Sequence, residues 1–302
     1  MPQSAPIPHD HDTLDRITRI LERYLVEQET SPNLVANIED INFAVSPSWL
    51  APIFTSKQIH EEDFRVLGHF KNPNALTLDI GAQFGHSVCS MRSAGCETGI
   101  LSFEPQLWMR PCLSEIARLD GYRHDYRIMA LGAANGVLDF VTPVLNGVAI
   151  TGLTSANPSL EGFAENLYIH QRTYMADTPF SSLTFYRFSS PVSTLDAALK
   201  SEAPFLIPTD TIAAIKIDTE NLEADVLFGA QETLRRHRPL IMIEGGNRLH
   251  AVRDILHELG YLSALRDADR LVLSDAPSHG PNGFFVHSDR VDEYETAGII
   301  TR

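Results

Sequence analysis

Basic residues and long apolar runs are both scarce in this chain. Among its 302 residues, 24 lysines and arginines face 39 aspartates and glutamates, which gives a net charge of −15. A chain this acidic repels nucleic acids and anionic membranes, so neither is expected as a main partner. No apolar run reaches membrane-spanning length, so no membrane insertion is expected either. The 43% hydrophobic content is enough for a substantial core, as in a soluble enzyme.

Cysteines are also few, and their spacing is not that of a metal site. Cys89, Cys96 and Cys112 are an odd number, so we interpret them as reduced intracellular thiols that pack in the core. The proline-, histidine- and aspartate-rich residues 2–12 are not typical of a secretory signal. We therefore expect a cytoplasmic protein.

The turn after the first predicted strand lacks one glycine of the dinucleotide-binding fingerprint. The run from Gly81 to Gly85 follows Asp79 with the spacing D-x-G-x-x-x-G, and the bulky Phe84 fills the turn. Gly81 allows a sharp turn from strand to helix, and Gly85 begins a helix whose free N–H groups favour an anionic or carboxylate-bearing ligand. This spacing suits S-adenosylmethionine better than NAD, because S-adenosylmethionine has no pyrophosphate. The alternative is a plain strand-turn-helix in which Asp79 is a capping residue.

The second predicted strand ends in Phe103-Glu104-Pro105. At the tip of a strand beside the first, Glu104 is placed to accept hydrogen bonds from both hydroxyls of a ribose. Together with the glycine turn, it predicts a site for a ribose-containing cofactor.

The chain begins with a helical pattern and continues with alternating strands and helices. Helical spacing near 13–28 and 56–70 predicts an N-terminal helical extension over residues 1–72, which would serve as a substrate lid or as the contact of a homo-oligomer. Residues 73–302 are predicted to form an α/β domain, with a mostly parallel twisted sheet and right-handed crossovers. We expect strands near 76–80, 99–104, 125–130, 211–218 and 238–244, and helices near 85–94, 109–119 and 222–236.

A long insertion, about residues 137–200, separates the third and fourth parallel strands. Long insertions in a compact domain are usually either functional or disordered. This one contains many aromatic residues, so we interpret it as a cap on the acceptor side.

Three acidic residues follow the last two parallel strands. Asp218 and Glu220 come after one strand and Glu244 ends the next, so all three should meet at the sheet edge that holds the cofactor turn. Acids that converge in this way need a cation, a proton or a polar ligand. Asp218 could be a general base, or Asp218 and Glu244 could share a Mg²⁺ ion. A purely structural role of Glu244 at a helix start is the alternative.

Six short motifs occur in order between residues 74 and 246. They are Leu78-Asp79-Ile80-Gly81-Ala82, Phe103-Glu104-Pro105, Ala130-Leu131-Gly132, Ser193-Thr194-Leu195-Asp196, Lys216-Ile217-Asp218 with Glu220 and Glu223, and Arg238-Pro239 before Glu244. In this order they resemble the FkbM-type S-adenosylmethionine-dependent methyltransferases. The resemblance implies a Rossmann-like methyltransferase fold, with helices on both faces of the sheet. It also implies methyl transfer to an oxygen, commonly a hydroxyl of a sugar or polyketide-type natural product, so the expected partner is a small-molecule or glycan acceptor.

The resemblance assigns residues to the two sides of the site. Asp218 and Glu220 become acceptor-side acids, and His250 is a further catalytic candidate because it follows the Glu244 loop. Two departures from the family pattern are Gln83, where Asn is usual, and Thr219-Glu220-Asn221, where Val-Glu-Gly is usual. The predicted cofactor-binding residues are Asp79, Gly81, Gln83, Gly85, Glu104 and Ala130.

Two other function classes stay open at this point. An NAD-dependent oxidoreductase is disfavoured by the missing glycine and by the acidic block from Lys216 to Glu223. A non-catalytic cofactor-binding module is suggested only by Gln83 and Asn221.

Overall fold

The computed structural model describes residues 11–27, 36–156, 163–175, 180–201, 211–245, 250–276, 278 and 280–301. The chain forms two compact units. The small unit comprises residues 1–44 and 139–189, and the sheet unit comprises residues 45–138 and 190–302.

Strands and helices alternate along the sheet unit, as the sequence predicts. The strands of the described residues are β1 (Leu76–Ile80), β2 (Gly99–Glu104), β3 (His124–Ile128), β4 (Ala130–Leu131), β5 (Gly136–Leu145), β6 (Val148–Ala149), β7 (Leu183–Ser193), β8 (Ile212–Ile217), β9 (Leu240–Glu244), β10 (Tyr261–Asp267), β11 (Arg270–Leu273), β12 (Asn282–His287) and β13 (Ile300–Thr301). The α-helices are α1 (His11–Glu27), α2 (Leu50–Ser56), α3 (His86–Ala94), α4 (Arg110–Leu119), α5 (Phe163–Tyr174), α6 (Leu195–Lys200), α7 (Glu223–Phe228), α8 (Gln231–His237), α9 (His250–Glu258) and α10 (Val291–Thr296). Short 3₁₀ helices cover Ile38–Asp40, Pro47–Trp49, Glu62–His69, Leu107–Met109, Thr151–Leu153 and Ser288–Arg290.

The sheet unit is built on a nine-stranded sheet in the order β13-β11-β10-β12-β9-β8-β1-β2-β3. The strands from β9 to β3 in this order are parallel, and β12 is antiparallel to both β9 and β10. Alternate residues of a strand belong to different core clusters, as Ala214 and Ile215 of β8 do. Helices α3 and α4 contribute to one cluster and α7 to α9 to the other, so both faces of the sheet are covered. The predicted Rossmann-like α/β fold is confirmed.

Two predicted helices differ in the structure. The helix expected over 222–236 is divided into α7 and α8 at Gly229, where a Cβ would lie 2.1 Å from the carbonyl oxygen of Gly132. In place of one helix over 56–70, α2 ends before Lys57, which adopts a left-handed conformation with φ of 53°, and a 3₁₀ helix follows from Glu62. The first break coincides with a close backbone contact and the second with a left-handed residue that ends α2, and apolar spacing alone indicates neither.

In the small unit, α1 packs its apolar face on the described part of residues 139–189. Ile17 and Leu21 are fully buried with Leu167 of α5, and Tyr24 stacks on Phe185 with ring centroids 3.9 Å apart. The structure thus associates part of the predicted extension with part of the predicted insertion. The predicted division at residue 72 stays a prediction. No helix within the described ranges combines the length and apolarity needed to cross a membrane.

Candidate active site

The loop between β1 and α3 is shaped by two left-handed glycines. Gly81 has φ of 79°, and a Cβ there would lie 1.7 Å from the carbonyl oxygen of Asp218. Gly85 caps α3 with φ of 93°, and a Cβ there would lie 2.9 Å from Cγ1 of Ile116. Only glycine fits such positions without strain. The loop therefore passes directly against the residue that follows β8.

Asp79 is fully buried beneath this loop. Its Oδ2 accepts hydrogen bonds from the hydroxyls of Ser87, at 2.6 Å, and Ser102, at 3.0 Å. Its Oδ1 accepts no hydrogen bond among the described residues and lies 3.5 Å from Nζ of Lys216. The hydroxyl oxygen of Ser102 also lies 2.9 Å from Nε2 of His124. Hydrogen bonds from Ser87 and Ser102 thus fix one carboxylate oxygen of Asp79, and the other oxygen is held only by the charge of Lys216.

Glu104 holds the loop from the neighbouring strand. Its Oε2 accepts the backbone N–H of Gln83 at 2.7 Å, and its Oε1 accepts that of Gln106 at 2.9 Å. The side chain is buried, and burial raises its pKa to about 7 although both N–H groups favour the carboxylate. Each carboxylate oxygen can accept a second hydrogen bond. The side chain of Gln106 supplies a third hydrogen bond, so Glu104 orders the turn and keeps capacity for one more donor.

Lys216 is a buried cation at the centre of this edge. Its Nζ donates a hydrogen bond to the carbonyl of Gly81 at 2.8 Å and lies 3.3 Å from Oδ2 of Asp218. Burial alone would lower the pKa of the ammonium, but the carboxylates of Asp218 and Asp79 outweigh burial and raise it. Lys216 therefore stays charged. The sequence analysis treated it only as part of a motif, although a lysine inside the apolar strand Ile212–Ile217 is the signal that reveals it.

Asp218, Glu220 and Glu244 converge as the sequence predicts. One carboxylate oxygen of each can lie within 4.8 Å of the other two. Burial, with a contribution from Asp218, raises the pKa of Glu220 to about 8. Burial and the adjacent Asp218 also raise the pKa of Glu244, whereas Lys216 overcomes burial and lowers that of Asp218. At neutral pH this face therefore consists of one carboxylate, Asp218, and two protonated acids.

The turn that follows β8 and carries Glu220 has two successive residues in the left-handed conformation. Glu220 has φ of 53° and Asn221 has φ of 82°. Thr219 closes the turn by donating its N–H and its hydroxyl to Oε1 of Glu223, each at 3.0 Å. Asparagine tolerates the left-handed region better than most residues, so Asn221 can take the place that glycine usually has in the FkbM-type pattern.

A cavity of about 220 Å³ opens between the β1–α3 loop and the acids Asp218 and Glu244, entirely within the sheet unit. Its floor is the β1–α3 loop, and its walls come from the ends of β8 and β9 and from the residues that precede β1. The lining residues are His60, Glu61, Phe64, Gly81, Ala82, Gln83, His86, Ser87, Lys216, Asp218, Glu244, Pro281 and Asn282.

Two of these lining residues, His60 and Glu61, were missed by the sequence analysis. Nδ1 of His60 lies 2.6 Å from the hydroxyl oxygen of Ser90, and its ring stacks on His86 with centroids 4.2 Å apart. Oε2 of Glu61 accepts a hydrogen bond from the amide of Asn282 at 2.8 Å. No sequence motif includes His60 or Glu61, because only the tertiary fold brings this segment against the β1–α3 loop.

With this geometry in place, the comparison with known families is decisive. Residues 79–263, more than half of the chain, match the model of the Methyltransferase FkbM domain. The chain belongs to the FkbM methyltransferase family. The resemblance inferred from the six motifs is thereby confirmed.

Solved structures similar to this FkbM-family chain include methyltransferases of low identity. Methyltransferase FkbM from Methylobacillus flagellatus KT is 12% identical over 78% of this chain, with a TM-score of 0.40, and the chain spans 58% of that protein. A putative O-methyltransferase from Klebsiella pneumoniae is 14% identical over 94% of this chain and 93% of that one, with a TM-score of 0.34. The O-methyltransferase from Bacillus cereus in complex with SAH is 14% identical over 93% and 91%, with a TM-score of 0.32. No curated protein matches the chain.

The other predicted site residues of this FkbM-family chain lie at varying distances from the cavity wall. Gly81 and Gln83 line the cavity, whereas Gly85, Glu104 and Glu220 are outside its lining. Ala130 is buried in β4, where it pairs with Val192 of β7. His250 begins α9 with an exposed side chain, whose Nδ1 lies 3.0 Å from Nη2 of Arg253, and it does not line the cavity.

Proposed function

We propose that this FkbM-family protein is an S-adenosylmethionine-dependent O-methyltransferase. Its acceptor is a hydroxyl of a sugar or natural product, of the glycoside, glycolipid or polyketide type. The observation that supports the proposal is the shared sheet edge, where the Gly81 loop and the Asp218–Glu244 face line one cavity and Glu104 holds the loop through the N–H of Gln83. Ligands of open α/β sheets bind at this edge.

The cofactor side offers groups that fit the proposed ligand. The remaining hydrogen-bonding capacity of Glu104 suits a hydroxyl of a ribose. The loop from Gly81 to Gln83 leaves room for the rest of the ligand. Gly85 supports this loop, and Ala130 supports the end of the neighbouring strand. The buried Oδ1 of Asp79 accepts no hydrogen bond among the described residues, and it can attract the amino group of the ligand directly or through water. When bound, S-adenosylmethionine supplies an electrophilic methyl group on a positively charged sulfur.

The acceptor side offers a carboxylate next to protonated acids. Asp218 accepts hydrogen bonds, and protonated Glu244 donates one, so together they match the donor and acceptor character of neighbouring hydroxyls on a sugar. Glu220 lies near Asp218, whose charge helps to raise the pKa of Glu220, and it adds a second protonated acid to this face. The carboxylate of Asp218 also favours a positive sulfur nearby. We leave His250 out of the proposed machinery because it is exposed and does not line the cavity.

A Mg²⁺ ion between Asp218 and Glu244 is the second candidate ligand of this face. The three converging carboxylates are the oxygen donors that such an ion prefers. The ammonium of Lys216, 3.3 Å from Asp218, already balances the negative charge there, and we therefore leave the ion out of the proposed reaction. Saturable binding of MgCl₂ that is lost in Glu244→Gln would reinstate it.

Calorimetric titration with S-adenosylmethionine, S-adenosylhomocysteine and NAD tests the cofactor. We expect saturable binding of the two sulfur compounds and no NAD signal. Glu104→Gln should weaken this binding about 10-fold or more, because it removes a charged acceptor for a ribose hydroxyl. Glu115→Gln, which changes an exposed glutamate paired with Arg118, is the matched control and should bind as the wild type does. Binding of NAD alone would indicate the oxidoreductase, and binding of none would contradict the proposal.

Release of S-adenosylhomocysteine in the presence of a hydroxyl-bearing panel tests the acceptor. Methyl glycosides, inositols and macrolide alcohols cover the proposed classes. Turnover with any member supports methyl transfer to oxygen, and turnover only with amines or thiols would contradict it. The cytoplasmic location and a homo-oligomer through the N-terminal helices stay predictions.

A further inference from the structure

A hydroxyl acceptor needs a group that removes its proton, and the acidic face is poorly suited to this task. The carboxylate oxygens of Asp218 are already engaged, by the ammonium of Lys216 at 3.3 Å and by a hydrogen bond with Glu244. Glu220 and Glu244 already hold protons at neutral pH. The proton acceptor should therefore lie on another wall of the cavity.

His60 occupies that other wall in a fixed orientation. Its ring lies between His86, at 4.2 Å, and Phe64, at 4.7 Å between centroids. Both its Nδ1, at 2.6 Å, and its backbone N–H, at 3.2 Å, point to the hydroxyl oxygen of Ser90, which is fully buried in α3. Its Nε2 makes no hydrogen bond with the described residues, and it lies 3.9 Å from Oε1 of Glu61.

We propose that His60 is the general base of this methyltransferase, with Nε2 as the atom that takes the proton of the acceptor hydroxyl. The proposal rests on the proposed function and extends it by a residue that no motif indicates. The O–H bond breaks, its proton forms an N–H bond with the lone pair of Nε2, and the electron pair of the O–H bond stays on the oxygen, which becomes the nucleophile. The imidazolium then releases the proton to solvent.

Burial and the charges around His60 keep its ring neutral at neutral pH. Burial, His86 and Lys216 lower its pKa to about 4, whereas Asp79 of β1 and Asp218 after β8 oppose them. The ring is therefore neutral and able to accept a proton at neutral pH. The same two carboxylates, with Glu61 beside Nε2, stabilise the imidazolium once it forms.

Ser90 acts as a positioning residue in this arrangement. For Nε2 to have a free lone pair, Nδ1 must carry the proton and donate it to the hydroxyl oxygen of Ser90. Catalytic bases are commonly oriented in this way by a third group. Ser90→Ala should therefore allow the other tautomer, with the proton on Nε2.

A long-range proton–nitrogen correlation spectrum of protein with isotope-labelled histidine tests the tautomer without any acceptor. His60→Asn identifies the signal of His60 by its absence. We expect the proton on Nδ1, a pKa well below the ordinary value of a histidine, and a shift toward the other tautomer in Ser90→Ala. A proton on Nε2 in the wild type would overturn the proposal.

Turnover of His60→Asn tests the role itself, with the acceptor found in the hydroxyl panel. Asparagine keeps a polar group near the position of Nδ1 and removes Nε2. We expect kcat to fall about 100-fold or more and the Kd of S-adenosylmethionine to stay within about twofold. His69→Asn, at the end of the same segment but outside the cavity, should change neither quantity.

The outcomes separate this proposal from the proposed function. Normal turnover in His60→Asn would overturn the role of His60 while the methyltransferase assignment stands. A wild-type protein that binds no S-adenosylmethionine would contradict the proposed function, and the role of His60 with it.

Discussion

The two halves of the active-site edge neutralise their acids by different means. At the ends of β1 and β2, Asp79 accepts hydrogen bonds from two hydroxyl groups, and Glu104 accepts hydrogen bonds from two backbone N–H groups. At the ends of β8 and β9, Asp218 depends on Lys216, and Glu244 keeps a proton. The first half is therefore held mainly by hydrogen bonds of the folded backbone and core, with Lys216 beside Asp79, and the second by charge and protonation.

This difference suits the two proposed ligands. A cofactor half built on fixed hydrogen bonds presents the same shape in every cycle, as preorganised binding requires. An acceptor half that contains shared protons can change its donors and acceptors with the acceptor that binds. The contrast predicts that backbone changes damage the first half most, whereas pH acts on Glu220 and Glu244 in the second half and on Glu104 in the first.

The largest effect is expected for Gly81→Ala, which attacks the backbone of the cofactor half. The new Cβ would lie 1.7 Å from the carbonyl oxygen of Asp218 at a φ of 79°. We expect a loss of about 4 kcal/mol or more in the free energy of unfolding, measured by urea denaturation, because both the contact and the conformation are unfavourable.

Gly121→Ala separates the contact from the conformation. Gly121 has φ of 63°, and nothing lies within 4 Å of a Cβ placed there. It should cost only about 1 kcal/mol. Equal losses in the two variants would show that the close approach of β8 is unimportant.

A smaller loss is expected for Lys216→Met, which removes the cation of the acceptor half. The variant leaves the buried carboxylate of Asp79 and the partly exposed carboxylate of Asp218 near each other without a positive partner. Removing one member of a buried ion pair costs about 3 kcal/mol or more, and urea denaturation at neutral pH measures it.

Lys200→Met provides the control, since Lys200 pairs with Glu232 on the surface. Exposed pairs contribute less than about 1 kcal/mol, so this variant should unfold nearly as the wild type does. The loss in Lys216→Met should also shrink in acid, where Asp218, no longer held as an anion, protonates readily. A loss that does not change with pH would argue against the electrostatic account.

The smallest effect is expected for Glu220→Gln, and it depends on pH. The pKa of Glu220 is raised from its ordinary 4.5 to about 8, so between these values the folded state holds a proton that the unfolded state has lost. Wild-type stability therefore falls as pH rises through this window, whereas the glutamine variant does not titrate there.

Denaturation at about pH 5 and about pH 8 measures this difference. The variant should gain about 1 kcal/mol relative to the wild type between the two values, a figure reduced for the partial exposure of the site. Glu115→Gln, at an exposed pair with Arg118, should show no such gain. A constant difference between Glu220→Gln and the wild type would mean that Glu220 is ionised throughout.

The sequence was sufficient wherever the signal is local. The turn from Asp79 to Gly85, the strand end at Glu104 and the acids after two apolar strands could be predicted, because parallel strands bring their carboxyl ends to one edge. Apolar spacing could not separate α7 from α8, since the division lies at Gly229, which packs against the carbonyl of Gly132 and accepts the N–H of Asp196, both distant in the chain. For His250 the sequence predicted too much. Its place after β9 suggested a catalytic role, but its exposed side chain does not support that role.

The sequence by itself determined the family, the mostly parallel sheet and the edge at which its acids meet, because strand periodicity and glycine turns are encoded over a few neighbouring residues. Only the tertiary structure decided how those acids are charged and what faces them. The charge on Asp218 depends on the distance to Lys216, and the position of His60 depends on Ser90 and His86 of α3. Such distances arise from packing between residues far apart in the chain, which no local pattern of the sequence encodes.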